Sequence, residues 1–113
     1  MARYIKGDVV IVAFPFSSDT QFKSRPAIVL ASWPYLGSRD YLVCMISTQD
    51  DQDPNQLEVH KEDMIGAQFQ ERCYIRPAYT FAASERRMNR KVCSLTPEKL
   101  ATVLSILHDL IDQ

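Results

Sequence analysis

The chain has 113 residues, of which 46% are hydrophobic and 24% charged, and its formal net charge is -1. This composition predicts a single globular domain over residues 1–113 and excludes a disordered chain. With a net charge near zero, no general field attracts nucleic acid, so any such contact must come from local basic clusters. The three cysteines are widely spaced without a Cys-x-x-Cys pair, and no segment approaches the roughly 20 apolar residues that span a bilayer. We therefore expect a cytoplasmic protein with reduced thiols, no metal site and no membrane contact.

Two apolar, β-branched segments open the chain, at residues 7–16 and 23–32, and predict two strands joined by an exposed polar loop. Arg25 lies where this loop enters the second strand. Because Pro26 restricts the preceding residue to extended backbone, the guanidinium of Arg25 is projected from a stiff base. Such a group can bind two phosphate oxygens, which makes Arg25 a candidate phosphate ligand. The alternative is a solvated surface arginine.

The next segments predict a connection, a buried strand and a solvated loop. Turn-forming residues dominate 33–40, residues 41–47 are nearly all apolar, and residues 49–56 contain no apolar side chain. The buried strand stops in two hydroxyls, Ser47 and Thr48, which a strand end directs at the rim of a sheet. They could bind a phosphate or orient a ribose 2′-hydroxyl, although Ser and Thr are also common in turns that end strands.

The middle of the chain predicts shorter elements. Residues 57–60 alternate as a short strand, and residues 61–66 could form one helical turn closed by Gly66. A further strand runs through residues 73–81, with Pro77 confining it to a sheet edge or a bulge. The basic stretch 86–91 then precedes a last short strand at residues 92–94.

The carboxyl-terminal segment predicts an amphipathic helix. Thr96 suits the N-cap, Pro97 the first helical position, and Leu95 can pack against Leu100 as a hydrophobic staple. The apolar face at helical spacing comprises Leu100, Val103, Leu104, Leu107, Leu110 and Ile111. The whole pattern predicts a mainly β (β-rich α+β) fold, either a small barrel or a strongly curved antiparallel sheet, with a carboxyl-terminal helix.

Cations and aromatic rings alternate between Arg72 and Lys91, a combination suited to single-stranded nucleic acid, with a solvated turn plus core aromatics as the alternative. Histidine is the residue type that titrates near neutral pH, but neither His60 nor His108 is assigned a role. The proton acceptor of any reaction is therefore left open. No phosphate-binding loop, His-Glu-x-x-His or Gly-x-Ser-x-Gly motif is present.

Four segments, in order, resemble the MazF/PemK family of toxin endoribonucleases from type II toxin–antitoxin systems. They are Gly7-Asp8-Val9-Val10 with Arg25-Pro26-Ala27-Ile28-Val29-Leu30, then Leu42–Gln49, Tyr74-Ile75-Arg76-Pro77 and Lys91–Glu98. The resemblance implies an SH3-like barrel with a carboxyl-terminal helix, assembled as a homodimer. It also implies metal-independent, sequence-specific cleavage of single-stranded RNA to 2′,3′-cyclic phosphate and 5′-hydroxyl ends, without a cofactor, and inhibition by a cognate antitoxin protein.

By the same resemblance, the family's catalytic arginine corresponds to Arg25 and its catalytic hydroxyl to Ser47, with Thr48 as the adjacent alternative. Arg25 would stabilise the phosphorane, with protonation of the leaving oxygen as a second role. The side chains that we expect to contact RNA are Thr20, Gln21, Lys23, Arg76, Arg86 and Arg87.

The sequence departs from the family pattern at Thr20, where many members have an acidic residue, and at Cys73, which is often serine. The neighbouring Asp19 is a candidate substitute for that acid. Two other functions stay open: a non-enzymatic toxin of the same fold that binds DNA gyrase, and a catalytically silent antitoxin-binding module. The end of the chain, Leu110-Ile111-Asp112-Gln113, lacks the Trp-Gly-Ile-like segment of the gyrase poisons.

Overall fold

The computed structural model describes residues 3–15 and 22–113, and it consists of seven strands followed by one helix. Short 3₁₀ turns at Lys61–Asp63 and Glu85–Arg87 immediately precede the fifth and the seventh strand. The elements are β1 Asp8–Pro15, β2 Phe22–Tyr35, β3 Ser38–Ser47, β4 Leu57–Val59, β5 Met64–Gly66, β6 Cys73–Ser84, β7 Met88–Leu95 and α1 Pro97–Ile111.

All seven strands belong to one antiparallel sheet in the order β4-β6-β3-β2-β1-β7-β5. Because β4 and β5 form its two edges, the sheet is not closed into a full barrel. Register shifts interrupt the pairing of β1 with β7, β2 with β3, and β3 with β6. Such bulges bend strands and increase their twist. The mainly β fold with a carboxyl-terminal helix is thus confirmed.

The two faces of the sheet carry separate cores, as period-2 alternation of side chains requires. One core contains Val9, Ile28 and Cys44, and α1 packs on it through the fully buried Val103. The other contains Val29 and Val43 together with Val10, Val12 and Tyr41. The prediction that the third strand is buried on both sides is borne out by β3, which contributes to both cores.

The helix begins as the sequence predicts. The Thr96 hydroxyl oxygen accepts a hydrogen bond from the Lys99 N–H at 3.2 Å, and Pro97 occupies the first helical position. Leu95 is buried and Leu100 packs against the same core. Ile111, in contrast, is 69% exposed, so its assignment to the apolar face was wrong. It is the last residue of the helix.

The predicted connection at residues 33–40 is instead a continuous hairpin. Strand β2 extends to Tyr35, β3 begins at Ser38, and Leu36 and Gly37 form the turn with φ values of 48° and 75°. Positive φ at both turn residues matches the twist of a two-residue hairpin. Pro34 is tolerated because β1 pairs with β2 only as far as Ile28, so this part of β2 has a free side.

Two other boundaries also differ from the prediction. The helical turn at residues 61–66 ends at Asp63, because Met64–Gly66 pairs with β7 as strand β5. The basic stretch does not precede the last strand but partly forms it. Strand β7 begins at Met88, and Arg90 pairs with Ile11 of β1. In both places a long-range strand partner outweighs the local preference of the segment.

Strand β6 contains the bulge that Pro77 predicted. Cys44 and Met45 are consecutive in β3, yet their partners in β6 are Thr80 and Arg76. Residues 77–79 therefore bulge out of the pairing, with Pro77 fully buried. A bulge redirects side chains at a chosen point of a strand, and here it lies next to the site described below.

Lys99 ties α1 to the edge of the sheet. Its ammonium group donates to the carbonyl oxygen of Glu58 at 2.7 Å and pairs with Asp63 at 3.1 Å. The Asp63 carboxylate also accepts the His60 N–H at 2.8 Å. Burial acts to raise the pKa of Asp63, but the bonds from His60 and Lys99 outweigh it and hold this pKa below its ordinary value. The Lys99 side chain is 14% exposed and that of Asp63 is 17% exposed.

All three cysteines are free and buried. Burial raises the pKa of Cys44 to about 12, which keeps this thiol protonated and unreactive. Among the described residues, no helix has the length and apolar character that crossing a membrane would require.

Candidate functional site

A pocket of about 300 Å³ opens where the start of β2, the end of β3 and the start of β6 lie side by side. It brings together four of the residues that the sequence singled out, Arg25, Ser47, Thr48 and Arg76. The remaining lining residues are Pro26, Met45, Ile46, Gln49, Asp51 and Cys73. Among the residues that the structure describes, the pocket therefore joins two arginines, several hydroxyl or amide groups and one carboxylate.

Strand register explains why these residues meet. Met45 in β3 lies opposite Ala27 in β2 and opposite Arg76 in β6. Arg25 lies two residues before Ala27 and Ser47 two residues after Met45, so alternation puts all of them on the same face. Ala27 belongs to the core on this face of the sheet. The next side chains beyond it on the same face, Arg25 and Ser47, are polar and line an open pocket.

Arg25 is exposed, and it makes no ion pair within residues 3–15 and 22–113. It pairs through the backbone with Val12 in β1 and is followed by Pro26, which is half-buried. A guanidinium on a central strand, held by a following proline and open to solvent, can receive a ligand without first breaking a contact to those residues. The extended backbone of Arg25 agrees with what the Arg-Pro pair predicts. Arg25 is, however, the fourth residue of β2 and does not lie where the loop enters the strand, because β1 already pairs with β2 from Phe22 onward.

Ser47 and Thr48 stand at the end of β3 as predicted. The Ser47 Oγ accepts the Gln49 N–H at 3.0 Å, which fixes the turn that ends the strand and leaves the hydroxyl hydrogen to be donated. Thr48 is more exposed than Ser47. Ser47 therefore ends the strand, which is the structural alternative that the sequence left open, and it also lines the pocket.

Arg76 is held on three sides. Its Nη1 lies 2.9 Å from Asp51 Oδ2, its Nη2 lies 3.7 Å from Asp53 Oδ2, and its guanidinium stacks over Tyr79 at 3.8 Å from the ring centroid. Tyr79 is one of the residues of the bulge at 77–79. The side chain is only 14% exposed, and its buried Nε has no hydrogen-bond partner in the part of the chain that the structure describes.

The loop that carries the two aspartates is itself held in shape by short-range bonds. Asp50 Oδ1 accepts the Gln52 N–H at 2.9 Å, and Asp53 Oδ1 accepts the Asn55 N–H at 2.9 Å. The pKa of Asp50 lies below its ordinary value, mainly because of the bond from Gln52 and then because the Gln56 side chain donates to it. The loop is therefore solvated, as predicted, but locally ordered around Asp51.

Cys73 lies in the pocket wall with its Sγ donating to the carbonyl oxygen of Glu71 at 3.3 Å. Burial raises the pKa of this thiol, and the nearby Glu71 carboxylate raises it further. A protonated thiol is a weak donor and a poor proton acceptor at neutral pH.

Other predicted contact residues lie apart from this pocket. Lys23 is exposed at the start of β2, and Arg86 and Arg87 line a separate depression with Ala13 and Ser84. Thr20 and Gln21 lie outside the described residues. His60 and His108 are exposed and do not line the pocket.

Sequence reasoning missed Asp51 and Asp53, which the interpretation of residues 49–56 as a solvated loop left without a role. The only signal that could have found them was the charge pattern, because an acidic loop directly follows a strand whose end carries candidate phosphate ligands. That pattern does not say which cation the loop reaches. The pairing with Arg76 depends on the neighbouring strand β6.

The fold defines a class of small antiparallel sheet proteins with a carboxyl-terminal helix, and known structures share it. Mycobacterium tuberculosis toxin MazF-mt6 superposes with a TM-score of 0.70 at 14% identity, covering 93% of this chain and 96% of that chain. MazF (Form-I) from Deinococcus radiodurans gives 0.67 at 17% identity, covering 96% of both chains. A mycobacterial endoribonuclease in complex with its cognate antitoxin gives 0.67 at 11% identity, covering 96% and 95%.

Residues 5–111 match the family described as PemK-like, MazF-like toxins of type II toxin–antitoxin systems. The chain therefore belongs to this toxin family. Among curated protein sequences none matches it.

Proposed function

We propose that this protein is the toxin of a type II toxin–antitoxin system and cleaves single-stranded RNA at specific sequences without a metal ion. The products would carry 2′,3′-cyclic phosphate and 5′-hydroxyl ends. The observation that carries the proposal is the pocket shared by Arg25, Ser47 and Thr48 in a chain of this family. In this chemistry the RNA supplies its own nucleophile, so the protein has to supply only donors, orientation and proton transfer.

The residues have distinct roles in this reaction. The exposed guanidinium of Arg25 binds two non-bridging oxygens of the scissile phosphate and stabilises the negative charge that grows on them. The hydroxyl of Ser47 or of Thr48 donates to the same phosphate or orients the attacking 2′-hydroxyl. Arg76 adds positive charge to the pocket, whereas Lys23, Arg86 and Arg87 bind RNA beyond it, together with Thr20 and Gln21.

The protein acts as a homodimer with one toxin domain per chain and is inhibited by a cognate antitoxin. The family supports the antitoxin partner. A structure of similar fold, the mycobacterial endoribonuclease, was solved in complex with its cognate antitoxin.

The test is cleavage of a long single-stranded RNA by the purified protein in EDTA, with the ends of the products mapped. Beside the wild type we would assay Arg25→Ala and, as a matched control, Arg90→Ala, an exposed arginine on β7 that does not line the pocket. We expect Arg25→Ala to lower the cleavage rate by about 10²–10³-fold, the usual effect of removing one preorganised donor. Arg90→Ala should stay close to the wild-type rate.

Discrete cuts with 5′-hydroxyl ends, lost in Arg25→Ala, would support the proposal and reveal the recognition sequence. Full activity of a folded Arg25→Ala variant would remove this residue from the mechanism. If the wild type cleaves no RNA, the gyrase-binding toxin and the silent antitoxin-binding module become the leading functions.

A further inference from the structure

The pocket contains one carboxylate among its described lining residues, that of Asp51. It lies in the same pocket as the arginine and the hydroxyl that we propose to contact the scissile phosphate. Neither the sequence pattern nor the family correspondence assigns it a role. The following inference rests on the proposed function and concerns the step that the mechanism still lacks, removal of the proton from the 2′-hydroxyl.

Asp51 is positioned as a catalytic group has to be. One of its oxygens is fixed 2.9 Å from Arg76 Nη1, and the Arg76 guanidinium itself stacks over the Tyr79 ring. The turn formed by Asp50 and Gln52 fixes the backbone around Asp51. Yet 40% of the Asp51 side chain is exposed, against 16% for Asp53, so a bound RNA can reach Asp51.

The other groups that could take a proton are less suitable. The two histidines lie outside the pocket, one beside the 3₁₀ turn at Lys61–Asp63 and the other on α1. The Cys73 thiol, which is in the pocket, donates to a backbone carbonyl and stays protonated. Both arginines in the pocket are cations without a lone pair to accept a proton.

We propose that Asp51 is the general base of the cleavage reaction. Its carboxylate takes the proton of the 2′-hydroxyl, and the oxygen forms a bond to phosphorus with the electron pair left behind. The bond from phosphorus to the 5′-oxygen breaks, and this oxygen takes a proton from water. Asp51 then returns its proton to water, so the protein is unchanged and the products are a 2′,3′-cyclic phosphate and a 5′-hydroxyl. Arg76 is a positioning residue that holds Asp51 in place.

The test compares Asp51→Asn with Asp53→Asn. Both changes keep the shape of the side chain and remove a carboxylate from the same loop and from the same arginine, but only Asp51 lines the pocket. For each variant we would measure single-turnover cleavage of a short RNA containing the cut site. We would also measure binding of the same RNA with a 2′-deoxy nucleotide at that site, which lacks the nucleophile and cannot be cut.

We expect Asp51→Asn to lower the cleavage rate by about 10²–10⁴-fold, the usual contribution of a general base, with unchanged cut sites and unchanged binding of the 2′-deoxy RNA. Asp53→Asn should cleave close to the wild-type rate, because Asp53 does not line the pocket and the contacts of Arg76 with Asp51 and Tyr79 remain. Asp19→Asn is the competing variant, since Asp19 neighbours the position where the family often has an acid.

Four outcomes would overturn the inference. They are an active Asp51→Asn variant, an equal loss in Asp51→Asn and Asp53→Asn, an altered set of cut sites or weaker binding in Asp51→Asn, and a loss confined to Asp19→Asn. The third outcome would show that Asp51 recognises a nucleobase of the RNA instead of accepting a proton. A wild type that cuts no RNA refutes the proposed function itself, whereas an active wild type with an active Asp51→Asn refutes only the role of Asp51.

Discussion

Two cations of this protein, Lys99 and Arg76, bind aspartates, and the side chain of each cation is 14% exposed. Lys99 pairs with Asp63 and also donates to the Glu58 carbonyl, so helix, 3₁₀ turn and sheet edge are joined by short contacts. Arg76 pairs with Asp51, but this carboxylate is more than twice as exposed as Asp63, and the buried Nε of Arg76 has no partner among the described residues.

The difference shows how one kind of ion pair serves two purposes. The Lys99 cluster lies between packed elements, and its groups bind one another. The Arg76 cluster lies at the wall of a pocket, and it presents a fixed carboxylate toward the space where a substrate would bind. We therefore expect damage to the Lys99 cluster to lower stability, and damage to the Arg76 cluster to lower activity.

Among the three changes that test this comparison, Arg76→Met should have the largest effect. Without the guanidinium Asp51 is no longer held, and a displacement of about 1 Å in a catalytic group can cost about a hundredfold in rate. We expect kcat to fall by that factor while KM changes little, measured on the cleaved RNA. A change confined to KM would contradict the positioning role and indicate that Arg76 acts by binding RNA.

Lys99→Met is the matched change on the structural side. It leaves the Asp63 carboxylate and the Glu58 carbonyl without their charged donor, and we expect the free energy of unfolding to fall by about 2 kcal/mol. Urea denaturation at neutral pH measures this loss. Cleavage by the folded variant should match the wild type. A marked loss of activity would contradict the inference that the Lys99 cluster serves stability and only the Arg76 cluster serves activity.

Asp63→Asn should have the smallest effect, and it depends on pH. The amide oxygen can still accept the bonds from His60 and Lys99, so only the charge is lost, and we expect about 1 kcal/mol at neutral pH. The pKa of Asp63 is lowered in the folded protein, so the carboxylate stabilises the fold at pH values above the unfolded pKa of about 3.9. This advantage disappears as the pH falls through the folded pKa.

Denaturation of the wild type and of Asp63→Asn at successively lower pH tests whether this stabilisation is lost in acid. The two curves should converge in acid, whereas Asp109→Asn, a change at an exposed helix position, should give a small difference at every pH. A difference between wild type and Asp63→Asn that grows in acid would mean that the lowered pKa has been misassigned.

Much of the fold was predictable because it depends on local sequence patterns. Alternation marked the strands, and Thr96 with Pro97 marked the start of the helix, since capping and periodicity depend only on neighbouring residues. The secondary-structure predictions were wrong where a partner strand decides the conformation of a segment, as in the hairpin around Leu36 and Gly37 and in strand β5. A short segment adopts extended structure there because a distant strand offers hydrogen bonds.

The candidate site divides in the same way. The sequence by itself determined that Arg25 has extended backbone before a proline and that Ser47 and Thr48 end a buried strand, because the adjacent residues fix those backbones. Only the tertiary structure decided that Arg76 faces the same pocket and that Asp51 is its partner. Those contacts depend on the register of β3 with β6 and on the bulge at residues 77–79. Such register is set by long-range hydrogen bonds and core packing, which no local pattern in the loop specifies.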